Sequence, residues 1–89
     1  MVIERFKGGD ARAVYQRFRE RGRQAPDGLR YLDSWVDLAG ARCFQLMQTD
    51  SADLFEAWIG RWSDLIDFEV VPVLTSAEAA RAVLDARPD

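Results

Sequence analysis

The chain contains no histidine and no asparagine. Without an imidazole there is no His-based triad, no His-ligated metal and no His proton shuttle. Acid–base work would fall to carboxylates, to Tyr15 and Tyr31, or to Cys43. Cys43 is the single cysteine, which excludes an internal disulfide and a cysteine zinc cluster. A free thiol fits a reducing cytosol, so a cytoplasmic location is expected. Lys7 is the only lysine and the net charge is −3. No basic field is available to release counterions from nucleic acid, and no such partner is expected. No apolar run approaches the ~20 residues of a membrane span. The opening "MVIERFKGGD" is charged from its fourth residue and reads as no signal peptide. Membrane partners, metals and cofactors are therefore not expected.

What is present is an ordinary globular balance, 48% hydrophobic and 30% charged over 89 residues. Residues 1–89 make one domain. A domain this small buries only roughly 60–65% of its unfolded surface, so it folds economically or borrows burial from a partner subunit.

Alternation in "VIERF" predicts a strand over Val2–Phe6. "GGD" breaks it and places Asp10 to cap a helix from Ala11. Ala11, Val14, Tyr15 and Phe18 form that helix's apolar face, and Gly22 ends it. "QAPDG" is turn chemistry. "LRYLDSWVDL", Leu29–Leu38, and "ARCFQLMQT", Ala41–Thr49, make a hairpin about Ala39 and Gly40. A second helix starts at Asp50 or Ser51. Leu54, Phe55, Trp58, Ile59, Trp62, Leu65 and Ile66 recur at spacings of three and four along it. "DFEVVPVL", Asp67–Leu74, is a last strand that Pro72 places at an edge or interrupts. "TSAE", Thr75–Glu78, is a capping box opening a helix with Ala79, Ala82, Val83 and Ala86 on one side.

The order is β-α-β-β-α-β plus a terminal helix. It predicts an α+β, ferredoxin-like βαββαβ sandwich: a four-stranded antiparallel sheet with two helices on one face. The other sheet face carries apolar residues and needs a cover. A second copy, sheet against sheet, would close a dimeric α/β barrel, so a homodimer is expected.

The words "MVIERFK", "GLRYLDSWVD", "RCFQLMQTD", "WIGRWSDLIDFEVVPV" and "TSAEA" together resemble a family of short bacterial proteins catalogued as domain of unknown function 3303. The resemblance runs from Val2 to about Ala80. It implies a ferredoxin-like domain of the dimeric α/β-barrel superfamily and no particular activity. That superfamily includes cofactor-independent monooxygenases, haem-degrading enzymes, lactone isomerases and ligand-sensing domains. The haem-degrading motif of Asn, Trp and His has no counterpart in a chain lacking Asn and His.

Several side chains are candidates for a site. With Phe44 and Leu46 placed under the helices, Cys43, Gln45 and Met47 face the partner sheet. Glu4, Gln45 and Glu69, on three strands, then all point away from the helices. Gathered in a dry space, the carboxylates would have raised pKa values and one would serve as a base, with Gln45 orienting a ligand. The structural alternative pairs them with Arg5, Arg30 or Arg42. Cys43 reads as a buried filler rather than a nucleophile, since it lacks a base. Trp35, Trp58 and Trp62 either frame an aromatic pocket or pack the core, and their indole N–H groups need partners such as a carboxylate or Gln45. "RFRERGR", with Arg17, Arg19, Arg21 and Arg23, reads as a solvated helix face rather than an anion site, and "GGD" is no phosphate loop.

The sequence therefore points to a small-molecule binding protein. Its pocket lies between sheet and helices or inside the barrel. The expected ligand contacts are Glu4, Tyr31, Trp35, Gln45, Met47, Trp58, Trp62 and Glu69. No catalytic residue is assigned. A cofactor-free monooxygenase or isomerase with a glutamate base, its oxyanion held by Gln45 or Tyr31, and a scaffold filled by its own side chains are the alternatives.

Overall fold

The computed structural model describes residues 1–85. Strand β1 spans Val2–Phe6, helix α1 Ala11–Arg21, strand β2 Arg30–Asp37 and strand β3 Arg42–Gln48. Helix α2 spans Asp53–Gly60, strand β4 Ile66–Val70 and helix α3 Ser76–Asp85. The strands form one antiparallel sheet in the order β2-β3-β1-β4. This is the ferredoxin-like βαββαβ arrangement with an added C-terminal helix.

Local chemistry sets the helix ends. Asp10 caps α1, its Oδ1 accepting from the Ala13 N–H at 3.1 Å. Gly22 closes α1 at φ 69°, a conformation that favours glycine, and its N–H donates to the Phe18 carbonyl. The capping box forms as its spacing predicts. The Glu78 N–H donates to Thr75 Oγ1 and the Thr75 N–H to Glu78 Oε1, both at 3.0 Å. Ala86, expected on the apolar side of α3, lies outside the described residues.

The expected second helix was too long. It ends at Gly60, and Arg61–Leu65 are turns. The Arg61, Trp62 and Leu65 N–H groups each donate three residues back, to Trp58, Ile59 and Trp62. Such turns preserve three-residue spacing, so Trp62 stays buried although the α-helix has stopped. Ile66, read as helical, opens β4. The last strand is also shorter than expected. Paired to β1, it is an edge strand, and its hydrogen bonding with the chain start ends at Val71, just before Pro72.

On β1 and β3 the two faces are the reverse of the sequence expectation, whereas Glu69 on β4 lies on the open face as expected. Val2, Glu4 and Phe6 on β1 and Cys43, Gln45 and Met47 on β3 are buried. They join Trp58, Trp62 and Ile66 in the core under the helices. Ile3, Phe44 and Leu46 are only partly covered, on the open face. Because the side-chain period is two, fixing one residue's face fixes the whole strand. Directly opposed residues share a face, so the register sets Ile3, Phe44, Trp35 and Glu69 in one open-face row. Trp35 is 53% exposed there. Around this apolar patch lie the ion pairs Arg5–Glu69 at 3.4 Å and Arg42–Asp37 at 2.9 Å.

The radius of gyration is 15.5 Å, against about 12 Å for a compact chain of this length. Helix α3 accounts for part of the excess. None of its side chains is buried, and Val83 and Leu84 are largely exposed.

Candidate functional site

The site begins with an alternation that cannot be avoided. Val2 and Phe6 reach the core only if Glu4, between them, also points inward. Glu4 is 6% exposed and Gln45 3%. Cys43 lies opposite Glu4 across the β1–β3 ladder, and Gln45 is the diagonal neighbour. Gln45 Nε2 donates to Glu4 Oε2 at 3.1 Å, and Gln45 Oε1 accepts from Arg23 Nε. The Cys43 side chain lies beside the Glu4 carboxyl on the same face. The cost of burying these polar groups is met by one another.

Burial pushes the Glu4 carboxyl up to about 7, against the opposing pull of the neighbouring Cys43 thiol, the Arg23 charge and the Gln45 amide. Burial, reinforced by Glu4, pushes the Cys43 thiol up to about 12, which removes its thiolate at neutral pH. Burial also raises the Tyr15 phenol.

Arg23 was read as part of a solvated helix face, but it turns inward. Gly22 ends α1 before it, and Gln24 follows with φ 62°, so the chain leaves the helix line at this point. The Trp58 and Trp62 indoles both donate to the Arg23 carbonyl oxygen, each at 2.9 Å. Arg61 Nη1 donates to the next carbonyl, that of Gln24, at 2.6 Å. The indole partners expected from the sequence, a carboxylate or Gln45, are thus replaced by one backbone oxygen. With its backbone held, the Arg23 guanidinium lies 3.6 Å from the Tyr31 ring centroid and 5.0 Å from that of Phe18. A separate clamp fixes α1 to the turn after α2. Arg17 holds Asp64 with two hydrogen bonds of 2.7 and 2.6 Å, which keep that carboxyl down at about 2.

These groups enclose a cavity of about 130 Å³ that is open on one side. Glu4, Gln45, Cys43 and Arg23 form its polar part. Phe6, Val14, Trp58, Trp62 and Ile66 supply apolar wall, and Tyr15, Phe18, Ser34 and Val36 complete the lining. Tyr15, Phe18 and Val36 are themselves exposed, which puts the mouth between α1 and β2.

Of the residues expected at a site, Glu4, Gln45, Trp58 and Trp62 line this cavity. Tyr31 stands behind Arg23, its hydroxyl 2.7 Å from Ser34 Oγ. Met47 is buried in the core beyond the lining. Trp35 and Glu69 sit on the opposite sheet face, so the expectation that Glu4, Gln45 and Glu69 converge is overturned. Glu69 pairs with Arg5 instead. Sequence reasoning missed Arg23 and the mouth residues. The available signal was position: Arg23 lies beyond Gly22, outside the helix whose charge run it seems to continue.

Chemically, the site holds a carboxyl that exchanges its proton near neutrality, beside a fixed cation and an apolar wall. Glu4 forms no ion pair among the described residues. Nor do any three His, Cys, Asp or Glu side chains there come together as metal ligands.

The raised carboxyl has a consequence for stability. Between the ordinary value of 4.5 and about 7, the folded state holds a proton on Glu4 that the unfolded state has lost. Stability from this group is therefore fully present below pH 4.5 and is lost as pH rises through 7. Urea unfolding of Glu4→Gln should lack this loss. Relative to wild type, the variant should gain on the order of 2–3 kcal/mol between acidic and alkaline conditions. Parallel pH profiles for the two proteins would contradict it.

No curated protein and no solved structure matches the chain. No helix among the described residues is long and apolar enough to cross a membrane. The model of one family, domain of unknown function DUF3303, matches residues 1–87. On that match over almost its whole length, the chain belongs to the DUF3303 family.

Proposed function

We propose that this protein binds a small molecule in the cavity between its helices and its sheet, and that it does so as a homodimer. One observation carries the binding reading. A mostly apolar cavity has a few convergent polar groups, Glu4, Gln45 and Arg23, in its lining. Ligand sites have this composition, whereas a cavity left by imperfect packing is apolar throughout. At about 130 Å³ the space is below the range for drug-sized ligands. It is close to the ~150 Å³ cavity that accepts benzene in an engineered protein. The enclosed part of the ligand is therefore about one ring, roughly six non-hydrogen atoms.

The open sheet face supports the homodimer. Ile3, Phe44, Leu46 and Trp35 form an apolar centre, with Arg5–Glu69 and Arg42–Asp37 around it. An apolar centre with a polar rim is the anatomy of an interface, and a two-fold pairing of sheets covers the same patch on both copies. The pocket lies on the other side of the sheet, so dimerisation leaves its mouth open.

Two experiments test these readings separately. In a screen of single-ring fragments followed by NMR, binders should move the Trp58 and Trp62 indole signals. Val14→Phe, which fills the cavity from α1, should abolish those shifts. Absence of any binder, or binding that survives Val14→Phe, contradicts the pocket reading. Light scattering should give the mass of two chains at micromolar concentration, reverting toward one for Phe44→Glu. A wild-type monomer contradicts the dimer.

A further inference from the structure

The pocket contains a cation without a counterion. Arg23 donates its Nε–H to Gln45, while Nη1 and Nη2 have no acceptor among the described residues and keep contact with solvent. No carboxylate pairs with it there. The nearest acid of the site, Glu4, is separated from it by the Gln45 amide. The Tyr31 and Phe18 rings lie against the guanidinium and leave its Nη edge as the side at which an anion can be met. The Nε contact and the ring of Tyr31 fix the plane of the guanidinium, and the two Nη groups form a fork suited to two oxygens of one planar anion.

From this we infer that the ligand is a small carboxylate, its two oxygens on the Arg23 Nη groups and its apolar body against Trp58 and Trp62. The inference rests on the pocket reading above and adds the chemical class. It follows that Arg23 is the specificity-determining residue. Its backbone oxygen, held by both indoles, sets where the fork points. Its side chain selects the anion. Glu4 accommodates a second acid nearby because its own carboxyl is held by Gln45 in a buried setting that favours the neutral form. Phosphate-sized anions without an apolar body gain nothing from the tryptophan wall.

Three single-ring probes separate the possibilities: benzoate, benzamide and toluene, titrated against the intact chain while the Trp58 and Trp62 indole signals are followed. Benzoate should bind roughly tenfold or more tighter than benzamide, as a charge-assisted two-point contact requires. Arg23→Gln should erase that preference, and Arg23→Lys should restore only part of it. Toluene or benzamide binding as tightly as benzoate in the wild type overturns the inference and leaves the pocket reading standing. Entry of none of the three removes both. Should Arg23→Gln fail to fold, the wild-type comparison alone decides.

Discussion

Strand β1 can bury Val2 and Phe6 only by burying Glu4 between them, and most of the site follows from that constraint. A carboxyl in the core needs partners. β3 supplies Gln45 and Cys43, which explains why it presents its smaller and more polar face to the helices. Gln45 then needs an acceptor's complement for its own oxygen, and Arg23 provides it. The polar line Glu4–Gln45–Arg23 crosses the core because each member satisfies the next.

The helical side of the domain is built to hold the far end of that line. Arg23 sits in an irregular segment, where a long side chain would otherwise sample many rotamers. Trp58 from α2 and Trp62 from the following turn both bond its carbonyl oxygen, and Phe68 on β4 meets Trp58 edge to face at 5.5 Å. The position of one arginine is thus tied to the best-packed part of the chain. Trp58 is 1% exposed. On the binding function proposed above, a cation fixed in this way would cost little further ordering when a ligand arrives.

Much of the fold was legible in the sequence. Asp10, the Thr75–Glu78 box and Pro72 act through local chemistry, and each sits where its chemistry predicted. The hairpin about Ala39 and Gly40 and the order of elements follow from the same kind of signal. The orientation of β3 was not legible from the strand alone. Phe44 and Leu46 are larger than Cys43 and Met47, so burial area favours the wrong face. The deciding term is pairing between Gln45, Glu4 and Arg23, which are far apart in sequence. Glu4, Gln45, Trp58 and Trp62 were singled out before their contacts were visible. Arg23 was hidden among neighbouring arginines, because the turn that redirects it depends on two left-handed residues, Gly22 and Gln24.

The account depends on Glu4 being held in the core by neutral partners rather than by an ion pair. The direct measurement is a carbon-13 NMR titration of the Glu4 side-chain carboxyl in the folded protein, assigned by its loss in Glu4→Gln. A midpoint near 7 is expected. A midpoint at the ordinary value of 4.5 would show a solvated or ion-paired carboxylate and would contradict it.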